Sequence, residues 1–180
     1  MKKWLFAALG LFALITLDQA TKYLAVEYVM HNGYIPLIGD IFGLQYVENT
    51  GAAFGIFKNM QWVFICLTVL VTALMIYFFA RMPFFGKYRP AVVLTILLVA
   101  GAVGNMIDRV RQGYVVDFLY FKLINFPVFN VADCYVVVAV ITFVLLLLFY
   151  YKDEDLKTFG ERVTPKSKTG NAQKEDPSHE

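Results

Sequence analysis

Four long apolar stretches, separated by polar segments rich in Gly, Pro and Asn, set the pattern of this chain. Residues 4–24, 61–80, 91–108 and 132–151 are each close to the roughly 20 apolar residues that cross a hydrocarbon core. Backbone polar groups in lipid must pair internally, so each stretch is expected to be a helix. Asp18 and Lys22 interrupt the first, whereas 61–80 carries no charge at all. The segment 27–60 consists of short apolar runs broken by turn residues, which suits strands and turns, and 109–131 is read as a second outer loop. The expected fold is therefore an all-α membrane protein, with four transmembrane helices and a small extracytoplasmic β-rich loop region. One domain spans 1–151. The tail 152–180 is charged, poor in large apolar residues and contains Pro165 and Pro177, so it is expected to be disordered.

Composition sharpens this reading. Hydrophobic residues make up 59% of the chain, against about 45–50% in soluble domains, which excludes an ordinary soluble protein. The opening Met-Lys-Lys and apolar run resemble a signal peptide, but no small-residue cleavage site follows, so it is read as a retained first span. Basic residues give the orientation. Eleven (Lys2, Lys3, Arg81, Lys87, Arg89 and six in the tail) fall on one side, against five on the other (Lys22, Lys58, Arg109, Arg111, Lys122). Both termini should be cytoplasmic and the loops should face outward. The net charge of +2 adds nothing about partners, and no nucleic acid is expected. Cys66 and Cys134 lie in spans as small core residues, and His31 and His179 stand alone. A metal site is not expected.

The chemistry concentrates between Gly104 and Asp133, where Asn105, Asp108, Arg109, Asp117, Asn130 and Asp133 sit at the edge of the membrane. Ionisable groups there are costly and are default functional candidates. Asp117 and Asp133 are too far apart to meet on one helix, but Gly113, Asn125 and Pro127 permit the chain to fold back between them. Asn130 is a good N-cap, which puts Asp133 in a first helical turn where the dipole favours its ionised form. Asp117, between Val116 and Phe118, should instead feel desolvation, which raises a carboxyl pKa. Acids pushed apart in this way suit an acid/base pair acting on water and an amide. Two other readings stay open: the acids cap a helix and a turn, or they relay protons. Against the relay, they cluster at one face.

Other polar residues carry paired readings too. Asp18 and Lys22 are spaced i, i+4 and can form a structural ion pair, with Lys22 reaching to water; a direct role for Asp18 in catalysis is the alternative. Asn105, Asp108 and Arg109 share a helix face, so Asp108 or Asn105 can contact the guanidinium. That network either fixes the helix end or positions a substrate. The small-residue bend Asn49 to Gly55, including Gly51, allows another backbone to approach, for packing or for substrate contact.

Taken in order, D-Q-A-T-K (18–22), N-T-G-A-A-F (49–54), G-N-M-I-D-R (104–109), V-V-D-F (115–118) and F-N-V-A-D (129–133) resemble the successive motifs of the bacterial lipoprotein signal peptidases, also called type II signal peptidases. The resemblance covers roughly residues 4–151. It implies an intramembrane aspartyl endopeptidase of the bacterial cytoplasmic (inner) membrane that needs no cofactor. Its substrates would be diacylglyceryl-modified prolipoproteins, cut just before the lipidated cysteine at the outer face, and globomycin-like inhibitors would occupy the same site. Asp117 and Asp133 match the catalytic dyad. Asn49, Gly51, Asn105, Arg109 and Asn130 match substrate-binding or supporting positions, while Asp18, Lys22 and Asp108 match structural ones. Membrane lipid is the other expected partner. Four helices of this size can bury the polar face without a second copy, so a monomer is expected.

Overall fold

The computed structural model describes residues 1–51, 60–84 and 86–163. The elements run α1 (Lys2–Tyr28), β1 (Ile35–Ile38), β2 (Phe42–Asn49), α2 (Gln61–Arg81), α3 (Arg89–Gln112), β3 (Val115–Tyr120), α4 (Val131–Phe149) and α5 (Asp153–Val163). Helices α1 to α4 are long and apolar enough to cross a membrane. Most of their apolar side chains face outward, as lipid requires of a bundle with no aqueous surroundings.

Helix α3 is the axis of the bundle, with α1, α2 and α4 all packed on it. Its small residues explain the closeness of α4. A Cβ added at Gly101 would lie 2.5 Å from the Ala132 carbonyl oxygen and 2.8 Å from Val136 Cγ2. The close approach is the one that small residues permit between membrane helices. Gly101→Ala is expected to push α4 off α3 and cost about 1–3 kcal/mol, read as a lower midpoint of thermal unfolding in detergent.

Two helix ends differ from the spans expected above. Helix α1 continues to Tyr28, and α3 runs through Arg109 to Gln112 until Gly113, at φ +87°, ends it in a left-handed cap. Arg109 therefore sits within α3, on the helix face its spacing from Asn105 predicts. The tail also begins in order, because Leu156, Phe159 and Val163 repeat at helical spacing on α5. The Phe159 ring packs near those of Phe78 and Tyr88, and Asp155 pairs with Lys87. Residues 164–180 lie outside the described residues.

One end of the bundle carries a three-stranded antiparallel sheet in the order β1-β2-β3. β2 and β3 come from opposite halves of the chain, with Val47 opposite Asp117 and Asn49 opposite Val115. The far edge of β3 is covered in part by the returning chain, where Phe129 N donates to Leu119 O at 3.0 Å and Leu119 N to Phe129 O at 2.8 Å. Val116 and Phe118 pack against Ala25 and Val29 at the end of α1, which anchors the sheet to the bundle.

Candidate active site

Alternation along β3 decides where Asp117 goes. Val116 and Phe118 enter the core beside α1, so Asp117 leaves from the opposite face, where it is buried. Asn130, fully buried, is the N-cap of α4. Its Oδ1 accepts from Asp133 N at 3.1 Å, and its backbone N donates to Asp133 Oδ2 at 3.0 Å, a reciprocal capping box. The same Asn130 donates through Nδ2 to Asp117 Oδ1 at 2.6 Å. One residue thus holds both carboxyls that the sequence separates by sixteen positions.

Each amide at the site has its orientation set by a partner behind it. Asn49 Oδ1 accepts from Gly51 N at 3.0 Å, which turns its Nδ2 to Asp117 Oδ2 at 2.8 Å. Asn105 Oδ1 accepts from Lys22 Nζ at 2.9 Å and from Asn130 Nδ2 at 3.0 Å. Its own Nδ2 then faces Asp133 Oδ1 at 2.7 Å. All four carboxyl oxygens therefore receive one donor each and keep lone-pair capacity for a proton or a water. Burial, helped by the negative charge of Asp133, pushes the Asp117 carboxyl up to about 7, against the opposing hydrogen bonds from Asn49 and Asn130 and the charge of Lys22.

Behind this layer lies an ionic cluster that ties α1, α3, α4 and β3 together. The Lys22 ammonium has three N–H donors, and they meet Asp18 Oδ2 at 3.0 Å, Asp108 Oδ2 at 2.9 Å and Asn105 Oδ1. Lys22 is 3% exposed and does not reach out to water as its spacing had suggested. Of the two contacts open to the Arg109 guanidinium, the one with Asn105 forms, through its backbone oxygen, and the one with Asp108 does not. Asp108 turns away from it, accepting from Lys22, from Gln19 Nε2 at 2.9 Å and from Val116 N at 3.2 Å. Arg109 instead points Nη2 at Gly51 O and Nη1 at the backbone oxygen of Asn105, both at 3.4 Å, with its guanidinium 4.9 Å from the Phe64 ring centroid. Asp18 Oδ1 accepts from Ala132 N at 3.0 Å, in the first turn of α4. Sequence reasoning assigned no role to Gln19, which joins Asp18 and Asp108; the only signal was its place beside Asp18 inside an apolar span. Of the bend after Asn49, residues 52–55 lie outside the described residues. Among the described residues, no group of three or more His, Cys, Asp or Glu side chains is arranged to hold a metal ion.

Two carboxyls thus converge at one end of a four-helix membrane bundle, each hydrogen-bonded yet able to take a proton, an arrangement suited to acid/base chemistry. Residues 11–149 match the family model described as Signal peptidase (SPase) II. The chain is 41% identical over 155 residues to the lipoprotein signal peptidase of Streptococcus pyogenes serotype M1, covering 86% of this chain and 98% of that one. That of the Manfredo strain of serotype M5 is 40% identical over the same shares. Among solved structures, a bacterial membrane enzyme determined in meso at 2.3 Å superposes with a TM-score of 0.70 at 29% identity, over 82% of this chain and 92% of that one. A second, at 1.9 Å, gives 0.69 at 30% identity, over 81% and 94%. The chain belongs to the signal peptidase II family, and so is a membrane protease that removes signal peptides from prolipoproteins.

Proposed function

We propose that this peptidase is an aspartyl endopeptidase in which Asp117 and Asp133 share one proton and activate one water. The observation that carries the reading is Asn130, which bonds both carboxyls at once. The ionised member of the pair takes a proton from water as its oxygen attacks the scissile carbonyl carbon, while the protonated member donates to the carbonyl oxygen. The tetrahedral species collapses as a carboxyl returns a proton to the leaving nitrogen. The substrate is a diacylglyceryl-modified prolipoprotein, cut before the lipidated cysteine, and globomycin-like inhibitors bind the same place. Arg109 and the Gly51 carbonyl position the substrate backbone; Asn49, Asn105 and Asn130 hold the dyad; Asp18, Lys22 and Asp108 hold the helices beneath. The basic-residue asymmetry supports cytoplasmic termini and a site at the outer face of the inner membrane. No cofactor takes part, and the chain acts as a monomer.

The test is cleavage of a purified diacylglyceryl-modified prolipoprotein and of its unlipidated form across pH. Because the Asp117 carboxyl titrates near 7, the pair holds its shared proton below that value and loses it above. The rate should therefore fall as pH rises through about 7. A rate that climbs through this window, or equal cutting of the unlipidated form, would falsify the reading.

A further inference from the structure

Along one face of α3, Ala91, Leu94, Thr95 and Leu98 form the floor of an apolar groove of about 430 Å³, walled by α2 and α4. Steps of three and four residues keep to one helix face, and the same steps lead from Leu98 through Ala102 to Asn105 and Arg109. The groove and the carboxyl site therefore lie end to end on a single stripe. From Ala91 to Asn105 the helix rises about 21 Å. The apolar segment of a signal peptide runs to about 7–15 residues, and as a helix its longest form spans about the same length.

At the end away from the sheet the groove is lined by Leu156 and Phe159 of α5. This helix is held across the groove. Tyr77 Oη of α2 donates to Val163 O at 2.8 Å, Tyr88 Oη at the start of α3 donates to Asp155 O at 2.8 Å, and Lys87 pairs with Asp155. α5 also lies beyond residue 149, where the match to the family model stops. We infer that the groove seats one face of the substrate's apolar segment and that α5 is its end-stop, which limits the length of segment this enzyme accepts. The inference rests on the prolipoprotein reading above. Three features favour this occupant over a bilayer lipid chain: the groove shares a stripe with the carboxyl site, the stripe from groove to site has the length of the segment, and α5 lies across the far end.

The test uses the full chain in phosphatidylcholine nanodiscs and diacylglyceryl-modified prolipoproteins whose apolar segments have about 12 or about 20 residues. Leaving even one or two apolar side chains unseated is worth about tenfold or more, so wild type should favour the short substrate in kcat/KM by at least that factor. In the Leu156→Ala/Phe159→Ala variant the preference should shrink severalfold as the stop is removed. The same preference in both enzymes, or none in wild type, overturns the inference and leaves the groove to lipid. A photoreactive residue at the start of the short apolar segment, presented to the Asp117→Asn enzyme, should cross-link within 153–163; adducts confined to other helices overturn it. The cross-link reports on the groove even if nothing is cut. Failure of wild type to cut any substrate would instead sink the peptidase chemistry.

Discussion

Asp117→Asn and Asp133→Asn are each expected to lower cleavage by roughly 10²–10⁴-fold, the range that one positioned acid or base supplies. The amides match the carboxyls in size but cannot exchange the proton. They also bring an NH₂ group where only acceptors are served. At Asp117 both oxygens already face donors, Asn49 Nδ2 and Asn130 Nδ2, so one contact must be lost. That loss is offset because the amide removes a buried carboxyl, and Asp117→Asn should fold with little change in stability. At Asp133 one of the two contacts, Asn130 N or Asn105 Nδ2, must also go. If the Asn130 contact is the one lost, half of the capping box goes with it and about 1 kcal/mol of stability. Single-turnover cleavage, with thermal unfolding in the same detergent, separates chemistry from folding. If either folded variant cuts within tenfold of wild type, that carboxyl is a structural cap and the dyad assignment fails.

The largest effect on stability should come from Lys22→Met. The substitution leaves Asp18 and Asp108 facing each other in a buried site without the ammonium that both contact. Removing one partner of a buried ion pair costs about 3–5 kcal/mol, because the remaining charge is uncompensated. Adding Asp108→Asn to Lys22→Met removes one of the stranded charges, so the double variant should be more stable than the single one. Ordinary additivity would predict the reverse, and neighbours in one network break it. Thermal unfolding of the single and double variants is the measurement. If Lys22→Met unfolds within about 1 kcal/mol of wild type, the cluster does not hold the helices together. A catalytic consequence should accompany the loss: without Lys22, nothing on α1 holds the Asn105 carbonyl, and its Nδ2 is freer to leave Asp133.

The four spans were legible because a membrane imposes one simple rule, long apolar helices, and the chain obeys it at 4–24, 61–80, 91–108 and 132–151 within a few residues. The cap at Asn130 was legible for a similar reason, since capping is a local affair of three residues. The i, i+4 pair of Lys22 with Asp18 and the Asn105 contact of Arg109 were legible too, but the further partners of Lys22, Asp108 and Arg109 were not. Helical spacing showed which side chains share a face, but another helix or strand decided which of them meet. Asp108 was drawn to α1 and to the β3 backbone, leaving Arg109 to the loop and to Phe64. The order in α5 was hidden because its charged residues outnumber its apolar ones, and only Leu156, Phe159 and Val163 at helical spacing marked a docking face.

By itself, then, the sequence determined the membrane class, the number of spans, the motif set of the family and the residues able to do chemistry. These depend on residue type and on spacing within one element. The tertiary structure alone decided that Val47 lies opposite Asp117, that Asn130 spans both carboxyls, and that Lys22 spends its three donors facing inward. Several of those contacts join segments far apart in the chain, as Lys22 and Asn105 do across 83 positions. Close packing of α4 on the glycines of α3, and the pairing of β2 with β3, bring them together.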